Sequence, residues 1–452
     1  MNFNTVEFLL FFLPAFLLIF HVSPAAWRLP ALVLASLLFY GASGGLPLIL
    51  LVLTIVWTDV CARTYFRSGN SRLVLLVGIS IPLALLFLFK YLRFSLELFG
   101  MENLDHGFLT FFLAVALPAG ISFYTFEVVS YLIDIRDGKI TPERERWYFA
   151  GFVSFFPHLI AGPIMRYGQL REQLHRISVS PRVPADFRNG IKYLTVGLAY
   201  KIFFADVPRT FLDLGRMVGD FNSIDGLFSI LSYTFIIYFD FWGYSLMAIG
   251  LGKLIGIELP RNFQEPYLSP SPREFWRRWH VTLSFWLRDY VYLKLGGNKR
   301  YILNILIVFA VVGLWHGAGV NFVVWGLYHG LAVAFYHLTR DYWDRMPRIL
   351  AIAVTFSIVT LGWPLFYLDF RSYIHLLERV LSFENPVAML VTAKHWIYLC
   401  LIALYAFAIR EDRFLFSERA AHPVLGGVIL ATIAAASVAF LSYGRTFIYF
   451  QF

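Results

Sequence analysis

About a dozen stretches of this chain are apolar for long enough to cross a bilayer, a crossing that takes roughly 20 mainly apolar residues. They fall near residues 6–22, 29–42, 46–61, 73–91, 108–133, 147–165, 189–205, 226–257, 301–315, 320–338, 349–368, 388–409 and 424–443. No other feature restricts the fold so much, because backbone that leaves water must satisfy its own polar groups. Of 452 residues, 59% are hydrophobic and only 15% charged, more apolar surface than one soluble core can hide. The chain therefore reads as an all-α polytopic membrane protein. Spans of roughly 20 residues leave too little between them for a large soluble domain. No fixed-period repeat, low-complexity tract or long linker divides the sequence, so a single integral-membrane domain over residues 1–452 is expected.

Charge placement orients the chain. No Lys or Arg precedes Arg28, whereas a secretory signal carries positive charge before its apolar run, so the first window is expected to be a retained helix. Basic stretches flank the 147–165 window on both sides, and Pro157, Gly162 and Pro163 interrupt it. That window is expected to be re-entrant, tolerable only where protein surrounds it. Twelve full spans then put both termini outside and most Lys and Arg inside. This bias accounts for the net charge of +9 without nucleic acid. Cys61 and Cys400 both sit in apolar windows and suggest neither a disulfide framework nor a Cys-rich metal site.

Residues 261–300 differ from everything else. They hold Arg261, Arg273, Arg277, Arg278, Arg288, Lys294, Lys299 and Arg300 against Glu265, Glu274 and Asp289. Pro260, Pro266, Pro270 and Pro272 forbid a regular helix at the start. Beyond them, FWRRWHVTLSFWLRDYVYLKL mixes aromatic and charged residues. The stretch is too polar to span and too aromatic to float free, which places it at the interface or in a protein-lined cavity.

Ionisable groups at membrane depth are functional candidates by default. Of eleven histidines, His21, His106, His175, His375, His395 and His422 fall near span ends or in loops. His158 lies in the re-entrant window, where a satisfied polar group is the simple reading. His316, in GLWHGAG, closes one span beside Gly313, Gly317 and Gly319. It is either a buried histidine hydrogen-bonded to a helix end or a general base kept neutral by burial. His329 is read as packing. His280, in FWRRWH, has Arg277, Arg278 and Arg288 nearby. Their guanidinium groups match phosphate oxygens, although an ordinary cytoplasmic interface contains the same residue types. There is no Walker-type loop, no GxGxxG opening a helix, no HExxH, no GxSxG with triad partners and no CxxC pair, so any chemistry falls to histidine acting on a soluble donor or acceptor.

Several segments resemble the membrane-bound O-acyltransferases, most closely the bacterial alginate O-acetylase group. They are LPAGISFYTFEVVSYLIDIRDG (117–138), FFPHLIAGPIMRYGQL (155–170), GLAYKIFFAD (197–206), the 238–267 stretch, SPREFWRRWHVTLSFWLRDYVYLKLGGN (271–298) and GLWHGAGVNFVVWGLYHG (313–330). The resemblance implies an assembly of about 11–13 spans with re-entrant segments, a catalytic His316 and a second characteristic histidine at His280. It also implies a donor site near Arg277, Arg278, Trp279 and Arg288. The expected activity is transfer of an acetyl group from a cytoplasmic thioester, acetyl-CoA, across the membrane. The acceptor would be a hydroxyl of an exported, alginate-like polysaccharide or a periplasmic acetyltransferase partner. Neither metal nor a permanently bound cofactor is implied, and the setting is the bacterial inner membrane, among its lipids. The chain departs from the usual DFSGYSD with DFWGYSL at 240–246, and from GWVFFRA with GWPLFYL at 362–368; the acceptor and partner docking depend on those regions. Two rivals stand beside this reading: D-alanyl transfer to a cell-envelope polymer on the same fold, and a proton-coupled transporter, which predicts inverted repeats.

Overall fold

The computed structural model describes residues 1–101, 107, 109–212, 221–382, 391–410, 423–441, 445 and 447. His106 and His422 lie outside the described residues, as does the end of the 424–443 window. Among the described residues every regular element is helical, which establishes the all-α class. By length and composition five helices can cross a membrane: Gly45–Arg67, Arg72–Leu98, Ser223–Leu254, Gly297–His316 and Arg348–Phe366. Shorter apolar helices are Glu7–Val22, Ala25–Gly41, Ala393–Ala408 and Gly426–Ala439. The chain is a multi-pass membrane protein.

The helices are less uniform than equal windows suggest. The 108–133 window is broken into Leu109–Ala114 and Ile121–Arg136. Gly120 sits between them with φ 78°, and a Cβ there would come within 2.4 Å of the Leu159 carbonyl oxygen. The break admits the backbone of another segment, which an unbroken helix could not do. The 189–205 window begins as the helix Phe187–Ala199 and widens to a π-turn over Tyr200–Asp206, a geometry that recurs at functional positions.

The chain forms two compact units: Met1–Leu194 with Ser245–Pro260, and Thr195–Tyr244 with Arg261–Phe452. The first contains the re-entrant stretch. Helix Arg146–Ser154 stops at Phe155, a single turn covers Phe156–Leu159, and irregular backbone follows until the helix Tyr167–Val179. Every residue from 151 to 165 is buried, so irregular backbone is surrounded by protein, as the low-dielectric setting demands. The Phe156 ring lies 5.3–6.4 Å from those of Phe3, Phe8, Phe12, Phe16 and Phe39. Phe156 N–H donates to Ser36 Oγ at 3.2 Å. His158 Nε2–H donates to the Phe152 carbonyl at 2.9 Å, and its Nδ1 lies 3.3 Å from Glu127 Oε1. Buried Arg28 closes the end of Tyr167–Val179 by donating to the carbonyls of Ile177, Ser180 and Pro181, where a cation suits the helix C-terminus.

The second unit is built on the first part of Ser223–Leu254, a 32-residue helix buried on nearly all faces. Its apolar character all round suits a central position rather than a surface one. One buried charge cluster of this unit is paired: Lys201 Nζ lies 2.5 Å from Asp206 and 2.8 Å from Asp240. Helices Tyr301–His316 and Val320–Leu338 form a tight hairpin. Gly313 and Gly326 let them touch, since a Cβ on either would lie 2.1–2.2 Å from a backbone carbonyl of the partner helix. Small residues at such crossings are how helices pack without a hydrophobic driving force between them.

Candidate active site

The 261–300 stretch folds as its prolines require. Irregular backbone with one 3-10 turn, Pro266–Leu268, leads to the helix Pro272–Arg278. Pro272 occupies its first position, where the missing N–H costs nothing. Ser271 caps it by accepting the Glu274 N–H at 3.2 Å. A second helix, Val281–Leu287, starts after a sharp reversal at His280. That residue has φ 43° and ψ 54°, a left-handed conformation costing a non-glycine residue about 1–2 kcal/mol. A strap from Asn262 to Gln264 holds it there. Gln264 N–H donates to the Arg278 carbonyl, Val281 N–H to the Asn262 carbonyl, both at 3.0 Å, and Thr282 Oγ1 to Asn262 Oδ1 at 2.6 Å. A strained backbone over-determined by its surroundings is characteristic of functional positions.

The reversal aims His280 inward. Its ring is buried, 4.6 Å from Phe241, 5.8 Å from Trp315 and 6.4 Å from His316. Among the described residues neither of its ring nitrogens has a hydrogen-bond partner. Buried polar atoms without partners are uncommon, and each asks for an explanation.

His316 ends its helix, as expected from the sequence, and is buried against Trp315, Trp325 and Phe366 at 4.9–5.1 Å. The flanking glycines admit the protein itself. A Cβ at Gly313 would meet the Phe322 carbonyl at 2.2 Å, and one at Gly317 would meet the Phe322 ring at 2.0 Å. The hairpin thus holds His316 through close contact with both the backbone and the ring of Phe322. His329 lies on the same hairpin, its ring 4.9–5.2 Å from Trp325, Trp276 and Tyr328, in keeping with the packing reading.

A cavity of about 250 Å³ opens beside His280. Arg273, Arg277, Arg288, Tyr292 and Asn298 supply polar lining; Trp276, Phe309 and Val312 supply apolar lining. Arg277 is largely exposed, 3.8 Å from Glu274. Arg288 pairs with Asp289 at 2.7 Å and lies over the Phe285 ring at 4.8 Å. Arg278 turns to Glu274 at 3.0 Å and Trp279 packs 4.8 Å from both Trp363 and Phe263. Neither lines the cavity, nor does His316. Arg273 and Trp276 do, although the sequence reading gave them no role. Their signal was spacing within the helix Pro272–Arg278, where 276 and 277 follow 273 at three and four residues, the period of one helical face.

Residues 145–373, which include both histidines, match the family model described as MBOAT, membrane-bound O-acyltransferase family. The probable alginate O-acetylase AlgI of Pseudomonas syringae pv. tomato is 36% identical over 379 residues, 81% of this chain and 72% of its own. The peptidoglycan O-acetyltransferase of Helicobacter pylori is 36% identical over 405 residues, 80% of this chain and 76% of its own. The teichoic acid D-alanyltransferase of Bacillus subtilis is 29% identical over 267 residues, 55% of this chain and 68% of its own.

Proposed function

The chain belongs to the membrane-bound O-acyltransferase family, and on that premise we propose that it carries acetyl groups from a cytoplasmic thioester to a hydroxyl on the other side of the membrane. As an O-acyltransferase it acts on a cell-envelope acceptor, an exported alginate-like polysaccharide or a periplasmic partner that makes the final transfer. Acetyl-CoA is the donor, and the bacterial cytoplasmic membrane is the setting. The observation that carries this reading is the placement of His280. It stands at an arginine-rich cavity on one side and 6.4 Å from the His316 ring on the other.

The chemistry follows from those groups. His316 takes the proton of the acceptor hydroxyl as its oxygen attacks the thioester carbonyl. The tetrahedral intermediate collapses with cleavage of the C–S bond, and the departing thiolate recovers the proton from the imidazolium. A positioned base of this kind contributes about 10²–10⁴-fold. Arg273, Arg277 and Arg288 offer guanidinium groups to donor phosphates, and the apolar wall of the cavity suits the uncharged thioester arm. His280, strained and buried, positions the donor carbonyl or stabilises charge developing on it.

D-alanyl transfer is the second reading. The acetyltransferase relatives match 80–81% of this chain and the D-alanyltransferase 55%, which favours acetyl. The deciding experiment supplies purified protein with labelled acetyl-CoA and a panel of periplasmic glycans and partner proteins. Label on an acceptor hydroxyl supports the proposal. Label transferred only from a D-alanyl carrier protein would overturn it.

A further inference from the structure

Within the first unit, an apolar groove of about 440 Å³ lies among helices Ala25–Gly41, Gly45–Arg67 and Arg146–Ser154. Val33, Val52, Ile55 and Val56 are among its aliphatic walls, and Val56 is 54% exposed. At one end the lining changes to Asp59, Arg146 and Trp147. Asp59 is buried and accepts Arg63 Nε on both carboxylate oxygens at 2.9 Å. Its Oδ2 also lies 3.6 Å from Arg146 Nε. Two guanidinium groups against one carboxylate leave one positive charge uncompensated.

The arrangement holds the arginines by their Nε edges. Arg146 has an 81% exposed side chain, and its terminal Nη groups donate no hydrogen bond among the described residues. Arg63 and Arg67 stand in the final turns of a helix that is otherwise apolar enough to span. Trp147 beside them is half exposed. Basic residues and tryptophan at the end of an apolar span mark the depth of lipid headgroups. The charged end therefore meets headgroups while the aliphatic walls meet acyl chains.

We infer that this groove binds an anionic phospholipid of the surrounding bilayer. One acyl chain lies along Val52, Ile55 and Val56, and the phosphodiester accepts hydrogen bonds from Arg146 with Arg63 beside it. Guanidinium groups present paired donors that match phosphate oxygens, and Asp59 holds two of them before the lipid arrives. The uncompensated charge favours a headgroup of net negative charge over one carrying its own ammonium. A free phosphate ion would leave the apolar length of the groove unused. The site is independent of the transfer reaction.

The test is native mass spectrometry of the full-length protein in neutral detergent. Phosphatidylglycerol, phosphatidylcholine of the same chains and inorganic phosphate are added in separate arms. Phosphatidylglycerol is retained above phosphatidylcholine in the parent protein. Arg146→Gln weakens its retention about fivefold, the factor expected for one basic residue at an anionic surface. Val56→Trp fills the groove while leaving the arginines in place and removes the lipid by a different route. Both side chains point outward, so circular dichroism of either variant matches the parent. Three outcomes would overturn the site: equal retention of the two lipids, parent-level retention of phosphatidylglycerol by both variants, or its displacement by inorganic phosphate.

Discussion

Two stretches that interrupt the long helices, 155–165 and 261–280, each carry one inward-facing histidine, and the two histidines are treated in opposite ways. His158 donates to the Phe152 carbonyl and faces Glu127. His280 has two ring nitrogens without a hydrogen-bond partner among the described residues, beside a cavity. Burial alone does not separate them, since each is 1% exposed. Satisfaction does. A buried histidine that donates to its own fold and faces a carboxylate holds that fold together, whereas one with both ring nitrogens open at a cavity is available to something that enters.

This contrast can be broken most sharply at the residue next to the open histidine. His316→Ala is expected to lower acetyl transfer by about 10²–10⁴-fold, the usual contribution of a positioned base, in protein that expresses and melts normally. Full transfer by that variant would remove His316 from the mechanism. His280→Ala comes next, with transfer reduced about 10²–10³-fold, the range of one lost transition-state donor. Any loss of thermal stability should be limited to the packing of the buried ring, because no hydrogen bond to the described residues is lost.

His158→Ala should behave inversely. It is expected to cost about 2–4 kcal/mol of stability, combining a cavity with a stranded Glu127, read as a lower melting temperature in detergent. Transfer per folded molecule should stay near the parent value; a selective loss of rate would dissolve the contrast. Smaller again is the effect of Arg277→Gln with Arg288→Gln. These are exposed charges, so donor KM should rise about fivefold, the equivalent of about 1 kcal/mol, with kcat little changed.

The smallest effect concerns Glu143, which anchors the backbone around the satisfied histidine's segment. Burial pushes its carboxyl up, but hydrogen bonds from Tyr167, the Glu145 N–H, Arg171 and the Arg144 N–H outweigh this and hold it below its ordinary value of 4.5. A depressed carboxyl stabilises the fold above its unfolded value and loses that contribution as pH falls through the folded one. The parent should therefore lose melting temperature on acidification below about pH 4.5. Glu143→Gln should melt lower at neutral pH and show a shallower acid decline.

Much of this was legible in the sequence. Pro157, Gly162 and Pro163 announced the broken segment, and four prolines announced the irregular start of the 261–300 stretch. His316 was placed at a helix end from the apolar run before it and the glycines after it. Other features were not legible because they depend on contacts between distant residues. The break near Gly120 exists to admit Leu159, which no local period records. Trp279 and Trp276 look alike in the motif, yet one packs beside Trp363 and the other lines the cavity. That distinction depends on where a seven-residue helix stops, since Trp276 lies within it and Trp279 just beyond its end. The division into two units was equally hidden, since each gathers pieces from both halves of the chain.

The nest of phenylalanine rings around Phe156 has a consequence for how the protein is made. A stretch like 155–165 cannot lie unaccompanied in lipid, because its unpaired backbone groups would cost several kcal/mol apiece. The rings that receive it belong to Phe3, Phe8, Phe12, Phe16 and Phe39, all synthesised more than a hundred residues earlier. The ribosome thus delivers the socket before the plug. Biogenesis has a built-in order in which the earliest helices wait, already docked to one another, for a segment that has no stable home without them.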